Sequence, residues 1–264
     1  IVDGLGAMRS ILCALLCVVL HTADAIAFTS PAWTSLKKHL NTLPVFTCVN
    51  AEGEPLGYEK DGQPLAIYFA DSERAQQELK TMGGQFPELG LRLIGVGLGD
   101  VFQQSTEGTA MLVPSQAALA GAGDEWDSET LPLYTCLAMT SLAPAASGLD
   151  YPEGSPTTPL FMCPTDAQAS LESALAASKA NGASEEQLAQ LQLVVTGLPT
   201  AVDLVVSGKE QETCGDKFQF VAPRTSLYFL REEQQKAQGA NRRYRAAEAM
   251  QEEEEGGKNL LFPS

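Results

Sequence analysis

The residues whose types and spacing could do chemistry are four cysteines, three alternating glycines and a surplus of carboxylates. Cys48, Cys136, Cys163 and Cys214 lie outside the N-terminal apolar run that holds Cys13 and Cys17. No two of the four have the two-residue spacing of a redox or zinc motif. Cys48 and Cys136 stand at matching places in two similar segments, which reads as a pair of small buried hydrophobes. In an oxidising compartment four cysteines would allow three pairings, so disulfides stay open. Gly95, Gly97 and Gly99 follow an apolar run and invite a nucleotide reading, but Asp100 stands where a dinucleotide fingerprint needs its third glycine. A tight turn from strand to helix accounts for them better. Gly208-Lys209 lacks the rest of a phosphate loop. The only histidines, His21 and His39, fall in a presumed targeting region, leaving no imidazole for acid-base work or zinc. No carboxylate pair sits in an apolar pattern that would set its protonation for catalysis. The chain is therefore expected not to be an enzyme and to carry no cofactor and no metal.

The 33 acidic residues against 17 basic ones give a net charge of −16 over 264 residues. Phosphate backbones are bound by clustered Lys and Arg, so nucleic acid is excluded as a partner, whereas basic peptides would be attracted.

The elements that must position these residues come in two rounds. Leu43-Pro44-Val45-Phe46-Thr47-Cys48 returns as Leu131-Pro132-Leu133-Tyr134-Thr135-Cys136. Pro64 to Phe69 before Asp71 is matched by Pro159 to Cys163 before Asp166, each aspartate standing where an N-cap belongs. Leu93 to Leu98 answers to Leu193 to Leu198, and Met111-Leu112-Val113-Pro114 to Phe220-Val221-Ala222-Pro223. Four matches in one order predict an α+β fold of two repeats, each of strands with one principal helix, related by an approximate twofold. Within them, Asn50 to Pro55 and Asp61-Gly62 read as turns, and Ala75, Leu79 and Met82 recur at helical spacing up to Gly83-Gly84. Leu171, Ala174 and Leu175 form the matching stripe, and Ser184 with Gln187 reads as a capping box. Pro199 suits a first helical turn.

Around the repeats the composition changes. Met8-Arg9, the apolar run Ile11 to Leu20 and Ala25-Ile26-Ala27 have the form of a signal peptide starting at Met8, with cleavage expected before Phe28. Phe28 to Thr42 holds hydroxyls and bases without an acid, as in a transit peptide. The expected organisation is a bipartite leader over 1–43, a first repeat over 44–124 and a second over 125–230 with a loop insertion at 141–158. A charged helix and acidic tail then fill 231–264. Ala120 to Glu125 reads as a flexible boundary between the repeats.

The duplicated motif, the segment Pro64 to Met82 and the run Leu93 to Phe102 together resemble the Tic22-like family, the twenty-two-kilodalton subunit of the translocon at the inner envelope of chloroplasts. The likeness covers roughly Leu43 to Leu230. It implies a soluble, chaperone-like component of protein import that holds preproteins between envelope membranes, with the leader pointing to the complex plastid of an alga. Its partners would be unfolded preproteins or transit peptides and translocon components at the envelope, with peripheral membrane association. It supplies no catalytic residue. An assembly subunit of a plastid membrane complex is the alternative, and a thiol redox protein resting on Cys48 and Cys136 the third. A holding site needs exposed apolar area. The candidates are Val45, Phe46, Leu133 and Tyr134 beside the repeated prolines, with Phe69, Phe102 and Phe161.

Overall fold

A computed structural model describes residues 26–60, 62–142, 153–236 and 238. The signal-peptide run, the centre of the predicted insertion and the acidic tail lie outside the described residues.

Proline and β-branched or aromatic residues start each round of strands, and both faces of the central strands are covered. Helix α1 (Pro31–Leu40) precedes strand β1 (Pro44–Val49), which leads to β2 (Gly57–Lys60) and β3 (Gln63–Phe69). Helix α2 (Ser72–Gln85), β4 (Arg92–Gly97), α3 (Leu98–Thr106), β5 (Ala110–Val113) and α4 (Gln116–Ala122) follow. β1 pairs antiparallel with β3 at Phe46 and Phe69, and with β4 from Pro44 opposite Gly97 to Val49 opposite Arg92. β3 also pairs antiparallel with β2 and parallel with β5.

The second sheet has the same plan. Its elements are β6 (Pro132–Thr135), β7 (Ser141–Leu142), β8 (Pro156–Phe161), α5 (Pro164–Ala180), α6 (Glu185–Ala189), β9 (Val194–Gly197), α7 (Leu198–Val206), α8 (Glu210–Cys214) and β10 (Lys217–Val221). β6 meets β8 at Tyr134 and Phe161, and β9 from Pro132 opposite Gly197. β8 runs parallel to β10 and antiparallel to the short β7. Side-chain bonds repeat too: the Thr47 hydroxyl donates to the Ile67 carbonyl at 2.8 Å, and that of Thr135 to the Pro159 carbonyl at 2.7 Å. The fold is α+β, built on two predominantly antiparallel sheets.

These pairings correct the register of the sequence matches. Phe69 and Phe161 occupy the same place, so Ile67, not Pro64, corresponds to Pro159. In the last strands Val113 accepts from Ala70 N–H, and Val221 from Met162 N–H. Val113 thus answers to Val221, one residue from the expected match. Strand faces alternate, so a slip of one residue would bury the wrong set. With Val113 on Val221, buried Leu112 falls on buried Phe220.

Alternation also divides the core. Val45, Tyr68, Leu112, Leu133, Leu160 and Phe220 join one cluster with residues of α1, α3 and α7. The neighbours Tyr134 and Phe161 turn the other way and join Cys136 with Ala167 and Leu171 of α5.

Helix α1, within the stretch read as a leader over 1–43, packs into the core. Trp33, Leu36 and Leu40 are fully buried in the main cluster, and Phe28 packs edge-on to Trp33 at 5.0 Å between ring centres. The helix has a Ser30 cap and lies against α3 and α7. His39, read as part of the leader, is buried with its ring 6.0 Å from that of Phe220. The glycines after β4 serve this docking. A β-carbon on Gly97 would come within 2.5 Å of Asn41 Oδ1, and one on Gly99 within 2.6 Å of the Lys37 carbonyl oxygen. Close approach of α1, rather than a tight turn, excludes side chains there. Gly97 offers no side chain to cap α3, and Asn41 Oδ1 accepts from Asp100 N–H at 2.9 Å instead. Lys37 Nζ adds Asp100 Oδ1 at 2.8 Å and Gln103 Oε1 at 2.9 Å.

Three further expectations change. Ala120-Gly121-Ala122 is the end of α4 rather than a flexible boundary, and a β-carbon on Gly121 would meet Tyr134 Oη at 2.9 Å. Gly83 and Gly84 lie within α2, which continues to Gln85. The predicted insertion 141–158 begins and ends as paired strands, β7 and the start of β8. The Ser184 and Gln187 capping box is present, and Pro199 sits in the first turn of α7.

The chain forms one compact unit to Ser226 and another from Leu227. A last helix spans 224–236. Within the second unit Arg231 lies over the Tyr228 ring and Lys236 pairs with Glu233 at 2.7 Å. Among the described residues no helix is long and apolar enough to cross a membrane.

Candidate functional site

All seven residues expected to grip a client are buried. Val45, Phe46 and Leu133 have no exposure, and Phe69, Phe102, Tyr134 and Phe161 retain 8% or less. An exposed apolar site would need the strands beside the repeated prolines to lie at sheet edges. They are central strands with neighbours on both sides and cover on both faces, so their apolar residues form core. Phe102 belongs to the aromatic cluster around Trp33. The Tyr134 hydroxyl is spent on the Ala118 carbonyl.

Phe161 also lines an open groove, of about 390 Å³. One wall is α5, through Ser170 and Ala174; the others come from β7, β8 and β10, with Leu142, Pro159 and Val221, and from Met139 in the connection before β7. Leu142 is 70% exposed. It ends a two-residue edge strand, so nothing on its outer side covers it among the described residues. The polar groups nearby are mutually satisfied: Thr157 Oγ1 donates to Gln219 Oε1 at 2.9 Å, and Ser141 Oγ lies 3.0 Å from Thr157 Oγ1. What the groove offers is apolar area with its polar bonds already made. Such a surface accepts varied side chains because little in it demands directional partners.

A second opening, of about 450 Å³, lies where helices begin. Asp71 caps α2, accepting from Arg74 N–H at 2.8 Å. The other expected cap, Asp166, does not cap its helix: the N-cap of α5 is Cys163, which makes no side-chain bond. Asp166 instead accepts from the backbone N–H of Arg224 at 2.9 Å and lies 3.7 Å from its guanidinium Nε. Glu73, Arg74, Ser115, Thr165, Pro223 and Thr225 are among the other residues of the lining.

The thiols offer little nucleophilic chemistry. Cys48, Cys136 and Cys163 carry thiols rather than disulfides, and the first two are buried. Burial, and then the Glu78 carboxylate, push the Cys48 thiol up to about 11. It stays protonated at neutral pH, where a reactive thiol would be ionised. Burial with the same carboxylate pushes the Tyr58 phenol up to about 12, and its hydroxyl donates to Glu78 at 3.1 Å.

Two solved structures share this arrangement. Tic22 from Plasmodium falciparum superposes with a TM-score of 0.53 at 17% identity, over 74% of this chain and 95% of that one. Anabaena Tic22, a protein-transport protein, gives 0.52 at 16% identity, over 76% and 96%. This chain has the Tic22 fold. No family model and no curated protein matches it, so the Tic22 likeness is one of structure. Set within the Tic22 fold, the groove residues Met139, Leu142 and Val221 share no motif in the sequence, since they come from separate segments. Leu142 stands at the margin of an Ala, Gly and Pro tract, and only the pairing of β7 with β8 brings it beside Phe161 and α5.

Proposed function

We propose that this chain works in protein import into a plastid, as a non-catalytic component that holds preproteins in the space between envelope membranes. The observation that carries this reading is the Tic22 fold, shared over nearly the whole length of two Tic22 proteins. The groove between α5 and β7 is the holding surface, taking apolar side chains of an extended preprotein. The net charge of −16 draws the basic, acid-poor targeting segments that such clients carry. Translocon components of the envelope are the partners that receive the client.

A photoreactive amino acid in place of Leu142 tests the reading during import into isolated plastids. Preprotein in transit is expected to cross-link from position 142 and to chase off as import completes. A chain that cross-links only to the same subunits at fixed stoichiometry, with no preprotein, would instead be an assembly subunit.

A further inference from the structure

We propose that the cleft at the starts of α2 and α5 is a cation site, in which Asp71 receives a guanidinium or ammonium group from a bound basic peptide. The peptide's identity as a targeting segment rests on the import reading; the site itself does not.

Asp71 is 8% exposed, and its two oxygens differ. Oδ1 accepts the Arg74 N–H and so fulfils the cap. Oδ2 is buried and has no hydrogen-bond partner. A buried acceptor without a donor costs on the order of 1–3 kcal/mol, and more when charged. A cap needs one oxygen, and serine or asparagine would provide it. The second carboxylate oxygen is thus surplus to the fold, and Asp71 lines an open cleft.

The missing donor is defined by its surroundings. Glu73 and Asp166 place two more carboxylates on the same cleft, against the single Arg74 of its lining. Asp166 is already engaged by Arg224, which leaves Asp71 and Glu73 as the acceptors facing a newcomer. The described residues include no group of His, Cys, Asp and Glu that could hold a metal ion, so the ligand is an organic cation with directional N–H donors. Such a donor meeting a desolvated carboxylate makes a strong, charge-assisted bond. Apolar side chains in the groove and a basic one in this cleft would together read a segment rich in both.

Fluorescence anisotropy of the full chain tests the site, with a short labelled peptide of Arg, Ser and Leu and a twin carrying citrulline for arginine. The arginine peptide is expected to bind at least about tenfold more tightly than its twin. Asp71→Asn and Asp71→Ser both keep a cap for α2 and should abolish that difference with little change in thermal unfolding. Citrulline and arginine peptides binding alike, or folded Asp71 variants that still prefer arginine, would overturn the cation site and leave the import reading standing. If neither peptide binds the wild-type chain, both fall. Should the Asp71 variants fail to fold, Glu73→Gln, on an exposed residue of the cleft, must weaken the arginine peptide selectively, and an unchanged affinity would equally overturn the site.

Discussion

Gly97 and Gly99 fix how closely α1 approaches the start of α3. Both were legible as constrained positions, yet sequence alone ties such glycines to the nearest turn, because the atoms that exclude a side chain belong to Asn41 and Lys37 in another element. Gly99→Ala is expected to cost roughly 1–3 kcal/mol, since the obstacle is the Lys37 backbone and cannot swing aside. Gly84→Ala within α2 meets open space and should stabilise by about 0.5–1 kcal/mol. Urea unfolding of the two variants separates packing from propensity. A second residue-scale prediction concerns alkali. The Cys48 thiol titrates near 9 when exposed and at about 11 in the folded chain. Its protonated form therefore favours the fold fully below pH 9, and the contribution is lost as pH rises to about 11. Thermal midpoints should fall across that window, and fall less in Cys48→Ala.

Among the elements, α1 is the one whose composition hid its packing. Its hydroxyl and basic residues gave it the composition of a transit peptide, and composition does not reveal that Trp33, Leu36 and Leu40 share one buried face. Trp33→Ala is expected to cost about 3–5 kcal/mol, measurable by denaturant unfolding. If processing removed everything before Leu43, this cost and more would fall on the mature protein. The strands were easier to read. Covered on both faces, β1 and β6 appear in sequence as continuous apolar runs, and their duplication shows through. That same coverage concealed their role, because a run buried on both faces looks identical to an exposed apolar edge until its neighbours are known. Helix α4 was lost for a related reason: Ala and Gly read as flexibility, whereas Gly121 is small to admit the Tyr134 ring.

For the molecule as a whole, the order of the repeated strands and the α+β class were legible in one sequence, and the Tic22 structures display the same fold. The site was not, because a groove is assembled by single residues from α5, β7, β8 and β10 that carry no shared signal. The function proposed for that assembly is to hold chains that have not folded. Its most direct test is to titrate the purified full-length chain with one labelled plastid precursor presented two ways, unfolded from urea and folded around a tight ligand of its mature part. The account predicts saturable binding of the unfolded precursor, weakened by salt and by Leu142→Asp, with far weaker binding of the folded one. Equal affinity for both forms, or no affinity for the unfolded precursor, would contradict it.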